Sequence, residues 1–443
     1  MVERRALAAL AAALVAAYAT ARGATFQFDD FRVLVDEPAV HSWHGWLASM
    51  PGMRPLTKAS YVLTWTLAPG VAWPSVAFGV LVHALSTLLV FDLARRWARD
   101  FGAAREPAQA TSIAFATALL FALHPAQTEA VTYVAGRSVA LAALAWLASL
   151  AAAERARVDG VGASRWRALS VAAFVAAMAA RETAWTLPFA LVLVERARGT
   201  SWRPALRAAA PHVAALVVCA LAVVALPAYR RLLATSLATR DPLDNLVAQV
   251  EAIRYLVTHP LATLRVNIDP DIAAPLAIDA GWLATALVLA GVLALGVRLL
   301  PRVPWAGFAV LWFFLALAPT NGPIARLDLA NDRQLYLALV GPAFLLASLA
   351  LRGRGRPARV AIGALALACG VATALRNTDY HGEVALWSAT ARASPKKARA
   401  WNNLGFAYVQ AGRDDLARAA FDEALRLDPD DRKAGLNRRD LPP

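Results

Sequence analysis

Apolar residues in this chain fall in long runs divided by short polar breaks, near 6–21, 74–94, 108–123, 138–153, 168–180, 184–194, 208–227, 281–300, 304–319, 334–351 and 359–375. Runs that are apolar on all sides and approach the ~20 residues needed to cross a hydrocarbon layer predict membrane-spanning helices. The pattern therefore predicts an all-α, polytopic membrane protein with about eleven transmembrane helices. The fifth and sixth runs flank Arg181 and Glu182 and are together too long for one untilted span and short for two, so the count is least fixed there. The segment 245–264 is moderately apolar but carries Glu251 and Arg254, and reads as an interfacial or re-entrant helix. The first run follows Arg4 and Arg5 as a signal peptide would. Because ten more runs follow, it reads as a retained anchor, with cleavage near Ala21 as the alternative.

Composition agrees with the pattern: 59% of the 443 residues are hydrophobic and 17% charged, too little polar surface for a chain solvated on all sides. The formal charge of +14 would suit nucleic acid if the basic residues formed one patch, but they sit in short clusters between apolar runs. Arg95, Arg96, Arg99 and Arg105 fill one break; Arg155, Arg157, Arg165 and Arg167 another; Arg196, Arg198, Arg203 and Arg207 a third; Arg298 with Arg302, and Arg352 to Arg359, follow. This alternation excludes a nucleic-acid partner and puts the basic loops in the cytoplasm. The acidic and aromatic loops then face the other side, together with everything after Arg376. The two cysteines, Cys219 and Cys369, lie in apolar runs and read as small buried hydrophobes.

The tail carries the most specific local signal. Trp401, Leu404, Gly405, Tyr408, Ala417, Phe421, Ala424 and Pro429 fall on the tetratricopeptide pattern in a 34-residue frame. Trp387 and Pro395 occupy the corresponding places one frame earlier. The expected division is a polytopic membrane domain over 1–376 and an extracytoplasmic tetratricopeptide segment over 377–443.

Candidate chemistry lies in the outward loops. Asp29 and Asp30 form an adjacent carboxylate pair just past the first run, either plainly exposed or held for a role, since burying them costs solvation free energy. If a helix follows Pro125, Glu129, Tyr133 and Arg137 recur every four residues on one face. Such a stripe suits a polar substrate, or equally an internal Glu129–Arg137 pair. Arg181 with Glu182, Asp332 with Arg333, and Asp269 with Asp271 add charges at the outer ends of apolar runs, and Arg54 and His124 stand in the same loops. His41 and His44 have no recognised metal-site spacing, so no metal ligands are assigned. No Walker loop, zinc signature, dinucleotide fingerprint or nucleophile elbow occurs in a fitting context.

Taken in order, FQFDDFRVLVDEPAV with RPLTKASYVL, LFALHPAQTEAVTYVAGR, the RET turn, IRYL with NIDPD, NDRQLYL and the C-terminal repeat resemble the bacterial relatives of the TMTC family. These are transmembrane and tetratricopeptide-repeat O-mannosyltransferases with the GT-C glycosyltransferase fold. The resemblance implies an inverting transfer of a sugar from a polyprenyl-phosphate donor to a protein or glycan acceptor outside the cytoplasm, at a bacterial inner membrane. It places the base at Asp29 or Asp30, with Glu129 or Glu182 as orienter. Arg137, Arg181 and Arg333 become the candidates for donor phosphate, and His124, Tyr133, Arg54 and Asp269 line the other loops. No cofactor is implied, and a divalent metal requirement is left open. Two departures stand out: Ala180-Arg181-Glu182 where relatives often read Ser-Lys-Glu, and Asp332-Arg333-Gln334 where Glu-Arg-Tyr is expected. The alternative from another class is a non-catalytic membrane scaffold whose repeat recruits exported partners. A transporter ranks third, since the span pattern shows no internal repeat.

Overall fold

The computed structural model describes residues 2–259, 266–274, 278–353 and 355–441. Among them every regular element is helical. In chain order these are α1 (Val2–Tyr18), α2 (Trp43–Ala48), α3 (Pro55–Leu67), α4 (Trp73–Asp100), α5 (Pro107–Leu123), α6 (Thr128–Val131), α7 (Arg137–Val158), α8 (Ala163–Ala180), α9 (Leu187–Ala197), α10 (Trp202–Ala225) and α11 (Pro227–Thr239). They continue with α12 (Pro242–Thr258), α13 (Ala280–Leu299), α14 (Pro304–Leu317), α15 (Leu335–Ala338), α16 (Val340–Arg352), α17 (Arg356–Asp379), α18 (Glu383–Ala393), α19 (Ala398–Gln410), α20 (Asp414–Leu427) and α21 (Arg432–Arg439). Proline opens many of these helices, α3, α5, α11, α12 and α14 among them, where its missing N–H has no bond to lose.

Each apolar run of the sequence is helical, but the expectation of about eleven spans is not met. Among the described residues six helices are long and apolar enough to cross a membrane: Glu3–Gly23, Trp73–Asp100, Val134–Val158, Trp202–Ala225, Ala280–Leu299 and Arg356–Asp379. The count reaches eight if two bent pairs each form one span, Pro107–Leu123 with Pro125–Val131 at 55° and Asp332–Ala338 with Val340–Arg352 at 54°. The shortfall is physical. α9 and α14 have 11 and 14 residues, too short at 1.5 Å per residue, and α8 carries Arg165 and Arg167 near its start. α13 leaves Leu283, Leu287, Val288, Leu295 and Val297 exposed, an apolar face of the kind that lipid covers. α12 is a helix where an interfacial one is expected; residues 260–264 of that segment lie outside the described residues.

The core gathers α4, α7, α14 and α16 around Trp97, whose ring lies 4.8 Å from Phe308, 5.1 Å from Trp312 and 6.2 Å from Phe344. Trp146 of α7 meets Trp312 edge-on at 5.2 Å. The basic end of this bundle is tied by Arg198, buried and paired with Asp100 and Glu154, while Arg157 reaches the same Asp100. The acidic loops collect at the other end, where they form the site described next.

At the C-terminus α19 and α20 form a hairpin flanked by α18 and α21. Leu404, Ala417, Phe421 and Ala424 are buried between the helices. A Cβ on Gly405 would stand 2.5 Å from the Phe421 ring, so the small residue of the frame is what lets the two helices close. Trp401 instead caps the preceding turn, its Nε1 donating to the Pro395 carbonyl at 2.9 Å.

Candidate functional site

The loop that follows α1 separates its two carboxylates. Phe28 takes a left-handed backbone at φ 42°, which turns Asp29 and Asp30 to different surroundings. Asp30 is buried; its Oδ2 accepts the Gln27 N–H at 3.0 Å and its Oδ1 accepts the Ala135 N–H at 2.6 Å. Burial pushes its carboxyl up to about 8, against the pull of those two amides and of the Arg137 guanidinium. Asp29 keeps its side chain about a third exposed, with Arg32 at 3.6 Å as its ion-pair partner. The Asp29 N–H donates to the Tyr133 hydroxyl at 3.1 Å. Two residues adjacent in sequence thus differ in kind: Asp30 pins the loop to the segment before α7, and Asp29 keeps a partly exposed carboxylate.

The stripe expected of Glu129, Tyr133 and Arg137 does not form. α6 lasts one turn, Tyr133 is extended at ψ 115°, and the helix resumes at Arg137. Glu129 is buried and faces Arg333, accepting its backbone N–H at 3.0 Å and lying 3.5 Å from its guanidinium. Arg137 is equally enclosed but is held by the Ser60 carbonyl at 2.9 Å, the Thr64 hydroxyl at 3.1 Å and the Ser75 carbonyl at 3.0 Å, between the rings of Tyr61 and Phe78. The internal Glu129–Arg137 pair is therefore replaced by a Glu129–Arg333 pair between α6 and the turn before α15. His124 caps the start of this segment, its Nδ1 accepting the Ala126 N–H at 3.2 Å.

Two glycines make the break possible. A Cβ on Gly136 would lie 1.9 Å from the Glu129 carbonyl oxygen, and one on Gly79 would lie 2.2 Å from that of Val131. Because the obstacle is backbone, it cannot turn aside. Gly136→Ala is expected to cost about 1–3 kcal/mol by overpacking and to lower thermal stability and activity together, read by melting the detergent-solubilised protein; an unchanged melt would show that the segment yields freely.

Four arginines meet beyond this segment. Arg54, itself left-handed at φ 51°, pairs through both ends of its guanidinium with Glu182, Nε to Oε2 at 3.0 Å. Arg181 donates to the Ser138 hydroxyl at 2.7 Å. Arg326, which no periodicity or motif singled out, joins Arg181 and Arg333 along a cleft whose other walls include Trp146, Ala316 and Leu337. Neither Arg181 nor Arg326 has a carboxylate within ion-pair distance among the described residues. Burial first, then the neighbouring arginines, depress both guanidinia, Arg326 to about 10. A cleft with uncompensated cations and apolar walls suits an anion attached to a hydrocarbon.

Glu182 shows the reverse sign. Burial alone would raise it, but Arg54 and then Arg181 hold its carboxyl down to about 2, below the ~4.3 of an unfolded glutamate. A depressed carboxylate stabilises the fold fully above the unfolded value, and that contribution is lost as pH falls toward the folded one. Glu182→Gln is accordingly expected to flatten the loss of melting temperature between about pH 5 and pH 2.5 relative to the unsubstituted chain; parallel curves would remove the pair from the acid response.

Asp269 sits apart from this cluster. It accepts two bonds from Arg399 of α19, at 2.7 and 2.6 Å, and the same guanidinium reaches Asp328 at 2.6 Å. Its observed partner is the repeat tail. His41 stacks on Trp65 at 4.1 Å, and no group of three or more His, Cys, Asp or Glu positioned for a metal occurs among the described residues.

Known proteins match parts of this architecture. Residues 398–431 match the tetratricopeptide repeat family model. The chain is similar to protein O-mannosyl-transferase F38B6.6 of Caenorhabditis elegans, 26% identical over 148 residues, a stretch that makes up 30% of this chain and 20% of that protein. The chain thus spans about a fifth of the length of the curated relative it matches. No solved structure matches it.

Proposed function

We propose that this protein is a membrane glycosyltransferase of the GT-C type that moves a sugar from a polyprenyl-phosphate donor to an acceptor hydroxyl outside the cytoplasm. The observation that carries the reading is one accessible carboxylate, Asp29, within electrostatic reach of a half-buried arginine cleft whose walls are partly apolar. Arg333 links the two, since it lines the cleft and lies within electrostatic reach of Asp29 and Tyr133. The similarity to an O-mannosyl-transferase supports the same class.

In this mechanism Asp29 takes the acceptor O–H proton while the acceptor oxygen bonds to the anomeric carbon and the bond from that carbon to the phosphate oxygen breaks, inverting the centre. The departing polyprenyl phosphate carries the bonding pair away. Arg181, Arg326 and Arg333 stabilise that charge in a partly enclosed cleft, where fixed cations act more strongly than in bulk water. Asp30 and Tyr133 hold the base, and Glu129 holds Arg333. Arg54 and Glu182 brace the turn that carries Arg181. The acceptor is a protein or glycan hydroxyl.

A scaffold role is the second reading, favoured by the tetratricopeptide match. Binding of a polyprenyl phosphate to the solubilised full chain separates the two. The glycosyltransferase reading expects saturable binding that weakens at least about tenfold in the Arg181→Ala, Arg326→Ala double variant, the loss of two charge-assisted contacts. A scaffold binds the lipid equally with or without those arginines.

A further inference from the structure

The helix that precedes the repeat hairpin is committed to the first outer loop. Glu383 Oε1 accepts the Phe28 N–H, and Glu383 Oε2 accepts from Trp387 Nε1 at 2.7 Å. The Trp387 ring in turn meets the Phe28 ring edge-on at 5.1 Å. One turn earlier the Tyr380 carbonyl accepts both the Thr25 N–H at 3.0 Å and Gln27 Nε2 at 3.1 Å. A bulky L-residue adopts the left-handed region only where its surroundings hold it. At Phe28 that hold comes from α18, more than 350 residues away in sequence, and the next residue is Asp29. α18 is itself packed on α19, which Arg399 fastens to Asp269 and Asp328.

We propose that α18 is a positioning arm: Glu383 and Trp387 keep Phe28 in its left-handed conformation and thereby fix where the Asp29 carboxylate stands, which couples the repeat tail to the transfer step. The inference rests on the reading of Asp29 given above. Glu383 and Trp387 act through Phe28 and touch no reacting atom. A force on the tail, such as a partner bound to the hairpin, reaches the loop through this contact.

Two readouts test it on the full chain. In a Cys219→Ala, Cys369→Ala background, a thiol placed by Asp29→Cys is labelled with a membrane-impermeant maleimide. Freeing the loop by Trp387→Ala or Glu383→Ala is expected to speed labelling about threefold or more, as local opening becomes easier. With Asp29 in place, the same substitutions are expected to lower kcat about tenfold with donor KM nearly unchanged, the cost of a misplaced base. Trp387→Phe, which keeps a ring against Phe28, restores most of both, and Phe406→Ala on the exposed face of α19 changes neither. If Trp387→Ala fails to fold, Glu383→Gln, which weakens the bond to Phe28 without removing bulk, takes its place. Flat labelling and flat kcat in folded variants would overturn the arm while leaving the transfer reading intact. Faster labelling in a chain that transfers no sugar from any lipid-phosphate donor would sink the transfer reading and the coupling, and leave α18 as a loop clamp alone.

Discussion

Exchange of Asp29 for Asn is expected to lower sugar transfer by roughly 10²–10⁴-fold, the range lost with a general base, while leaving the melting temperature and donor KM close to those of the unsubstituted chain. Among the described residues the Asp29 side chain is bound only by a long pairing with exposed Arg32, so little of the fold depends on its charge. Asp30→Asn is expected to behave oppositely. An asparagine offers one acceptor oxygen where two backbone amides, from Gln27 and Ala135, converge, and its NH₂ would confront one of them. The expected penalty is about 1–3 kcal/mol for an unsatisfied buried donor, seen as a lower melting temperature and yield. Measuring transfer and melting for both variants decides which aspartate is the base; a stable, inactive Asp30→Asn beside an active Asp29→Asn would exchange their roles.

The other large effect is expected at Arg333. Its replacement by Ala leaves Glu129, which is almost fully enclosed, as a buried carboxylate without a cation, and breaking a buried pair in this way costs about 3–5 kcal/mol. The charge of the cleft falls as well. The two consequences separate in a second variant. Arg333→Met with Glu129→Gln removes both charges, so stability is expected to recover substantially while transfer stays lost. Melting and transfer measured on Arg333→Met, on Glu129→Gln and on the two together supply the cycle. Recovery of transfer in the double variant would reduce Arg333 to a counter-ion of Glu129.

The helical class, the positions of the apolar runs and the repeat frame were readable because each depends on local composition or on a fixed period. The 34-residue spacing of Trp387 with Phe421 and of Pro395 with Pro429 places α18, α19 and α20 before any coordinates are needed. Span number was less legible, since α14 is apolar throughout and α9 is apolar up to Glu195, yet both are too short to cross, and hydropathy alone does not count turns. The Glu129, Tyr133, Arg137 stripe failed because a helical period was extended across Thr132 and Tyr133, where the backbone opens and Gly136 abuts the Glu129 carbonyl. The acidic pair was visible as a pair; its division into a pinned Asp30 and an open Asp29 depends on a left-handed Phe28 that nothing in FQFDDF announces. Arg326 stands in a loop without periodicity and joins the cleft only through the fold. The partners of Phe28 on α18 are equally remote, and long-range contacts of this kind leave no trace in one sequence.

The central claim is tested most directly by incubating the purified full chain with radiolabelled polyprenyl-phosphate sugars and an extracytoplasmic acceptor extract, with the Asp29→Asn variant alongside. The account predicts label passing to the acceptor with inversion at the anomeric carbon, and its disappearance in the folded variant. Equal transfer by both proteins, or none by either across the sugars tried, would contradict it and leave the repeat-bearing scaffold as the better description.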